Sequence, residues 1–301
     1  CPSKDDVIRR YEVVALHTKL LYNQYGDHDP DGLVFVPLQD VDNVLAGKCM
    51  PKPLILRANA GDWIEVTLHN AWTPEHPIPY FPYPRVPLDQ EYTPSMRVSL
   101  NPQFLKYDPV SDSGINVGYN EQEQTVGVGE SKRYLWHADR EYGACILQSF
   151  ADMRNHRYHG LFGAVIVEAP EAKWFDPVTG EELKSGLMAD IYQPGKTAFR
   201  EYSIFFHDEL EIRNKDGNEP IDPHTGLPSS TTAISYRSEP MRNRMPVTHD
   251  PADSGEDVSM SSWVHGDPAP PILHAYVGDP VKTRLLHGGV KETHVFHLHN
   301  H

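Results

Sequence analysis

The feature that most constrains this chain is an internal repeat. The stretch from Pro53 through Gly61-Asp62-Trp63-Ile64 returns as Pro270 through Gly278-Asp279-Pro280-Val281, displaced by 217 positions. Ile55/Ile272, Ala58/Ala275 and Leu68/Leu285 are identical pairs at that offset. Self-similarity at a fixed offset marks one structural unit used twice. In the first copy the chain reads as two strands hinged at Gly61-Asp62. Ile64, Val66 and Leu68 alternate with polar residues, the period of a half-buried strand.

The remaining apolar runs are short and bounded by turn residues. Residues 7–16, 33–36, 131–136, 160–168 and 200–206 read as strands, and clusters such as Asp27-His28-Asp29-Pro30-Asp31-Gly32 read as turns. The 27 prolines and 21 glycines suit many short strands, and no long amphipathic helix competes. The expected fold class is all-β, two Greek-key sandwiches in tandem, the second incomplete at its C-terminal end. The expected boundaries are a first domain over 1–170, a linker over 171–198 and a second domain over 199–301.

Charge narrows the partners. With 42 acidic and 27 basic residues the net charge is −15, which excludes a phosphate-binding, nucleic-acid-directed surface. An acidic surface concentrates metal cations, though solubility alone also explains it. No run reaches the roughly 18 apolar residues of a membrane-spanning helix. Three cysteines, Cys1, Cys49 and Cys145, leave the redox compartment open, and a Cys1–Cys49 bridge is one arrangement among several.

The last eight residues, His294-Val295-Phe296-His297-Leu298-His299-Asn300-His301, carry four imidazoles among apolar residues. Neutral imidazole suits copper, zinc, iron and nickel. On a strand, His297, His299 and His301 share one face and His294 takes the other, which suits two metal centres flanking one strand. On a helix, His294, His297 and His301 would align instead. The Gly-Asp turn, the Gly288-Gly289 pair and the β-formers between the histidines favour the strand.

The run closely resembles the His-Pro-x-His-Leu-His-Gly-His signature of multicopper oxidases, with Asn300 in place of the usual glycine. The resemblance implies tandem cupredoxin-like domains. It makes His294 a ligand of a type 1 copper, His297 of the type 2 and His299 of the type 3 copper of a trinuclear cluster. The implied activity is a copper-dependent oxidoreductase that passes electrons from a reducing substrate to O2. That substrate is a metal ion such as Mn(II) or Fe(II), or a phenol. The remaining ligands would come from the rest of a longer polypeptide or a partner subunit, so the 301-residue piece alone is expected to be inactive. The implied location is extracellular, periplasmic or cell-surface.

Residues 143–150 with 154–163 resemble a second segment of the family, Gly-Thr-x-x-Tyr-His-Ser-His followed by Gly-Leu-x-Gly. Gln148 and Phe150 stand where its two histidines are expected, and with one extra residue added to the repeat offset Pro79 and Phe81 stand opposite His297 and His299. The first unit is therefore expected to lack cluster ligands, with His76 alone opposite His294. Cys145 reads as a buried small hydrophobe, and His137 as a hydrogen-bonded structural residue. Two other readings stay open: a copper-binding scaffold without turnover, and a zinc hydrolase using His297 and His299.

Overall fold

The computed structural model describes residues 2–4, 6–79, 93–118, 122–223, 226–228, 231–244, 256–259, 261–289 and 293–298. Cys1, Phe81, His299, Asn300 and His301 lie outside the described residues.

The first unit is built from β1 (Ile8–His17), β2 (Leu20–Leu21), β3 (His28–Asp29), β4 (Leu33–Pro37), β5 (Leu54–Asn59), β6 (Trp63–Asn70), β7 (Asn101–Pro102), β8 (Lys106–Tyr107), β9 (Ser131–His137), β10 (Gly143–Gln148) and β11 (Phe162–Glu168). One sheet has the order β4-β1-β6-β9-β8 and the other β5-β11-β10-β7. Two pairings are parallel, β1 with β6 and β11 with β5. Helix is confined to short pieces. The longest among the described residues, α1 (Met153–Tyr158), has six residues and is capped by Asp152, whose carboxylate accepts the Asn155 N–H. Among the described residues no helix is long and apolar enough to cross a membrane. The chain is all-β, as expected.

Burial explains the sequence pattern. β6 alternates buried and half-exposed residues, because one face meets the core and the other meets water. β5 and β11 are buried at every position. One face of each meets Ile64, Val66, Leu68, Tyr134 and Trp136 between the two sheets. The opposite face packs on Phe205, Tyr236 and Leu286 of the second unit. A strand covered on both sides has no reason to alternate.

The second unit comprises β12 (Lys173–Phe175), β13 (Met188–Tyr192), β14 (Phe199–His207), β15 (Ala233–Ile234) and β16 (Val281–His287), in the order β12-β13-β14-β15 with β16 paired to β14. Residues 173–192, expected as part of a connector, supply β12 and β13. Trp174, Ala189 and Ile191 are buried there with Leu183 and Phe199 packed against them, and that small core makes the segment a sheet edge.

The repeat has a structural counterpart. β14 runs parallel to β16 as β1 runs parallel to β6, and Ile64, opposite Arg9, corresponds at the 217 offset to Val281, opposite Arg200. The equivalence stops at β5. Residues 271–276 form no ladder, and Ile272 and Leu273 are 40% and 41% exposed where Ile55 and Leu56 are buried. β5 is held by its pairing with β11. Residues 271–276 have no such pairing among the described residues.

A buried ionic network joins the units. Arg57 on β5 lies 2.9 Å from Glu201 on β14, both side chains fully buried. Glu201 also accepts from Arg284 on β16 at 3.1 Å, and Arg284 reaches on to Glu168 on β11.

Candidate metal centre

The centre is assembled at one end of the parallel pair β14–β16. Phe206 stands opposite His287 in the register, so both strands finish at the same level. Asp208 follows directly after β14, and its side chain is 1% exposed. The chain then has to turn back sharply after His287. Gly288 and Gly289 make this possible: both N–H groups donate to the Phe206 carbonyl, at 2.7 and 3.2 Å. A Cβ on Gly289 would overlap the Asp208 carboxylate, and one on Gly288 would press into the Phe162 ring. Only glycine lets the backbone lie this close.

His294 lies over the strand ends. Its ring stacks on Phe206 with centroids 5.5 Å apart and 16° between planes, and lies 5.0 Å from the His287 ring. His294 Nε2 is 3.9 Å from an Asp208 oxygen. Ligand atoms of Asp208, His287 and His294 all fall within 4.8 Å of one another, the spacing a single metal ion can bridge. Arg157, from α1 of the first unit, donates to the Gly288 carbonyl at 3.3 Å and to that of Gly289. Its own pKa is lowered by burial, against which the Asp208 charge works.

His294 is turned inward, His297 is exposed, and His299 lies outside the described residues. Residues 293–298 join no sheet, so their alternation of faces is not fixed by a ladder there. Asp208 and His287 were not singled out from sequence. The signal that could have found them is register: a histidine at the end of the repeated strand, just before a Gly-Gly pair.

The first unit makes a contrast at equivalent positions. Register and offset place His17 and Asn70 where the second unit has Asp208 and His287, and one extra residue brings His76 opposite His294. Asn70 is committed to the Met96 and Val126 carbonyls, at 2.9 and 3.0 Å. His17 faces the backbone carbonyl of His76 at 3.2 Å, while the His76 ring meets Thr73 Oγ1 at 3.3 Å. Gln148 is buried, Met153 is exposed, and burial pushes the Cys145 thiol up to about 12. Cys145 lies in the core between the sheets of the first unit, whereas Cys49 is exposed; neither belongs to the Asp208–His287–His294 group. His137 stacks on Trp63 at 4.5 Å.

His156 and His159 show how this unit uses imidazoles. His156 is fully buried between Ser149 Oγ at 3.0 Å and the Ser95 carbonyl at 2.9 Å, and burial lowers its pKa to about 4. For His159, burial acts downward, but the Asp29 carboxylate 2.7 Å away more than offsets it and the pKa rises. Because the folded His156 value lies below the ordinary 6.5, the unfolded chain takes up the proton first as pH falls. The stability owed to a neutral His156 is complete above that value and lost as pH falls toward about 4. Urea titrations at pH 7 and pH 5 should show roughly 2 kcal/mol of loss from this residue. His156→Gln should remove that share of the pH dependence. An unchanged slope would show that His156 is not the group responsible.

No family model matches the sequence, and no curated protein sequence does. Similar solved structures include a multi-copper oxidase from Pseudomonas thermotolerans, 16% identical, covering 78% of this chain and 43% of that one with a TM-score of 0.44. A copper nitrite reductase from Nitrosomonas europaea is 16% identical over 95% of this chain and 69% of its own, TM-score 0.49. A blue copper oxidase from the same organism is 13% identical over 94% and 61%, TM-score 0.45. This chain thus spans under half of the first of these proteins. All three are copper proteins, and at such identities no residue's role is carried over from them to this chain.

Proposed function

We propose that this chain is part of a copper oxidoreductase of the multicopper oxidase kind, which couples oxidation of a reducing substrate to reduction of O2. The observation that carries the reading is the spacing His294-x-x-His297-x-His299, whose odd separations of three and five positions would put His297 and His299 on the strand face opposite His294. His294 serves one copper centre, and His297 and His299 serve a second. Copper, when bound, supplies the one-electron chemistry; the chain supplies ligands, their orientation and access.

The donor set supports copper. Two imidazoles and a carboxylate within reach of one another suit a borderline divalent ion. Phe206 fixes the plane of the His294 ring by stacking, and Arg157 fixes the glycine turn that delivers it. The first unit acts as scaffold, holding the turn from outside the second sheet. A cleft of about 950 Å³ lies between the units, lined by Phe35, Met50, Tyr202, Phe206, Leu273 and Phe296. The net charge of −15 favours a metal ion over a phenol as reductant, since an acidic surface raises local cation concentration. We place the protein outside the cytoplasm: extracellular, periplasmic or at the cell surface.

The test uses the full-length protein. Replacing His297 and His299 together with alanine should lower copper content and abolish O2 uptake. His294→Ala should remove copper from the other centre and stop substrate oxidation. Unchanged copper content and oxidase turnover in the triple variant would refute the reading.

A further inference from the structure

We propose that Asp208, His287 and His294 form a self-contained divalent-cation site, with one carboxylate oxygen and two imidazole nitrogens, that takes copper(II) without a thiolate. The inference deepens the oxidase reading, which uses the same two imidazoles and carboxylate as support for copper. It departs from what the sequence resemblance implies for that residue, which is a cysteine-ligated copper.

Four independent observations converge. The three ligand atoms lie within 4.8 Å of one another, and the buried His294 Nε2 has the Asp208 carboxylate 3.9 Å away. Asp208 places a carboxylate at 1% exposure, a position that favours a cation beside it. Gly288 and Gly289 leave the backbone as close to Asp208 and Phe162 as it can come, so the turn is shaped around this group. At the equivalent positions of the first unit, His17 lies between the His76 carbonyl and the Asp31 carboxylate, Asn70 is bound to backbone carbonyls and His76 meets a threonine hydroxyl, so no second imidazole joins a carboxylate there. The arrangement is therefore particular to the second unit rather than a by-product of the repeated topology.

The donor set selects the ligand. Imidazole and carboxylate together suit zinc, nickel and copper(II), and copper(II) binds tightest among divalent first-row ions. Calcium and magnesium, which want oxygen-rich shells, are disfavoured by two nitrogen donors. The site sits at the matching ends of two parallel strands, braced on one side by Phe206 and on the other by Arg157 through the glycine carbonyls. Ligands on strand ends and a braced turn hold their geometry with little reorganisation.

The experiment is a copper(II) titration of the 301-residue chain carrying His297→Ala, His299→Ala and His301→Ala, which removes the competing tail imidazoles. Calorimetry should give one equivalent of copper, and electron paramagnetic resonance should show coupling to two nitrogens without an intense thiolate charge-transfer band. Asp208→Asn and His287→Gln should each weaken binding at least tenfold, and His287→Gln should reduce the coupled nitrogens from two to one. Near-UV circular dichroism establishes that each variant is folded, and His287, half-exposed, gives a second route if the buried Asp208→Asn change disturbs packing. Affinity and spectrum left unchanged by both substitutions would overturn the proposal, as would a thiolate band. Loss of oxidase turnover in the full-length protein is a separate readout. Failure there would sink the oxidase reading and leave this titration standing.

Discussion

Replacing Arg57 with methionine is expected to destabilise the protein by about 3–5 kcal/mol, because it strands a buried negative charge. The Arg57 and Glu201 side chains are both fully buried, 2.9 Å apart. Arg57 also donates to the Gly186 carbonyl at 3.0 Å. With Arg284 and Glu168 the group alternates in sign and is neutral as a whole. Burial pushes the Glu168 pKa up, although Arg284 opposes it, so this site already tolerates its charges only through their partners. Removing Arg57 alone breaks the neutrality. Removing Glu201 along with it, as Arg57→Met with Glu201→Leu, restores neutrality and should cost less than the sum of the single changes. A double-mutant cycle in urea measures this directly. Additivity of the two changes would show that the network does not act as a unit. The result bears on function because β5 and β11 belong to the first unit and β14 and β16 to the second: the network fixes the sheet whose end carries the candidate metal centre.

Phe162→Ala is expected to cost a similar 3–5 kcal/mol and to loosen the centre as well. Phe162 is fully buried and meets Phe205 at 5.6 Å, Tyr236 at 5.3 Å and His207 at 5.2 Å, the last edge-on. Its ring also supports the Gly288 backbone. Truncation removes a large apolar side chain from between two units that cannot collapse independently, so a cavity remains. Phe162→Leu, which keeps most of the volume, should recover more than half of the loss. Copper(II) affinity should fall in the alanine variant without any ligand being touched, because the Gly288 backbone beside His287 loses its floor. Denaturation and copper titration on the same samples test both halves. A loss below about 1 kcal/mol would mean that the units are not held together by this packing.

The strands of the first unit were readable because their residues alternate or cluster between turn signals. β6 and β9 alternate since one face meets water. β5 and β11 do not, yet they are short, apolar and bounded by glycine or proline. Residues 173–192 were harder: Trp174, Ala189 and Ile191 are too sparse for a period, and only their contact with Leu183 and Phe199 makes them a sheet edge. Residues 271–276 failed in the other direction. Their sequence matches β5, but strand character there depends on a neighbouring strand that the described residues do not provide.

Local sequence by itself determined the all-β class, the repeat, the Gly-Asp hinges and the candidate ligands His294, His297 and His299, because each depends on residue type and spacing along the chain. Tertiary structure alone decided that Asp208 and His287 join His294, since the parallel register of β14 and β16 joins residues about eighty positions apart. It also decided that Asn70 and His156 are hydrogen-bonded parts of the scaffold and that Gln148 is buried. Whether an imidazole faces a carboxylate, a serine or water is set by packing between strands distant in the chain, which no local pattern encodes.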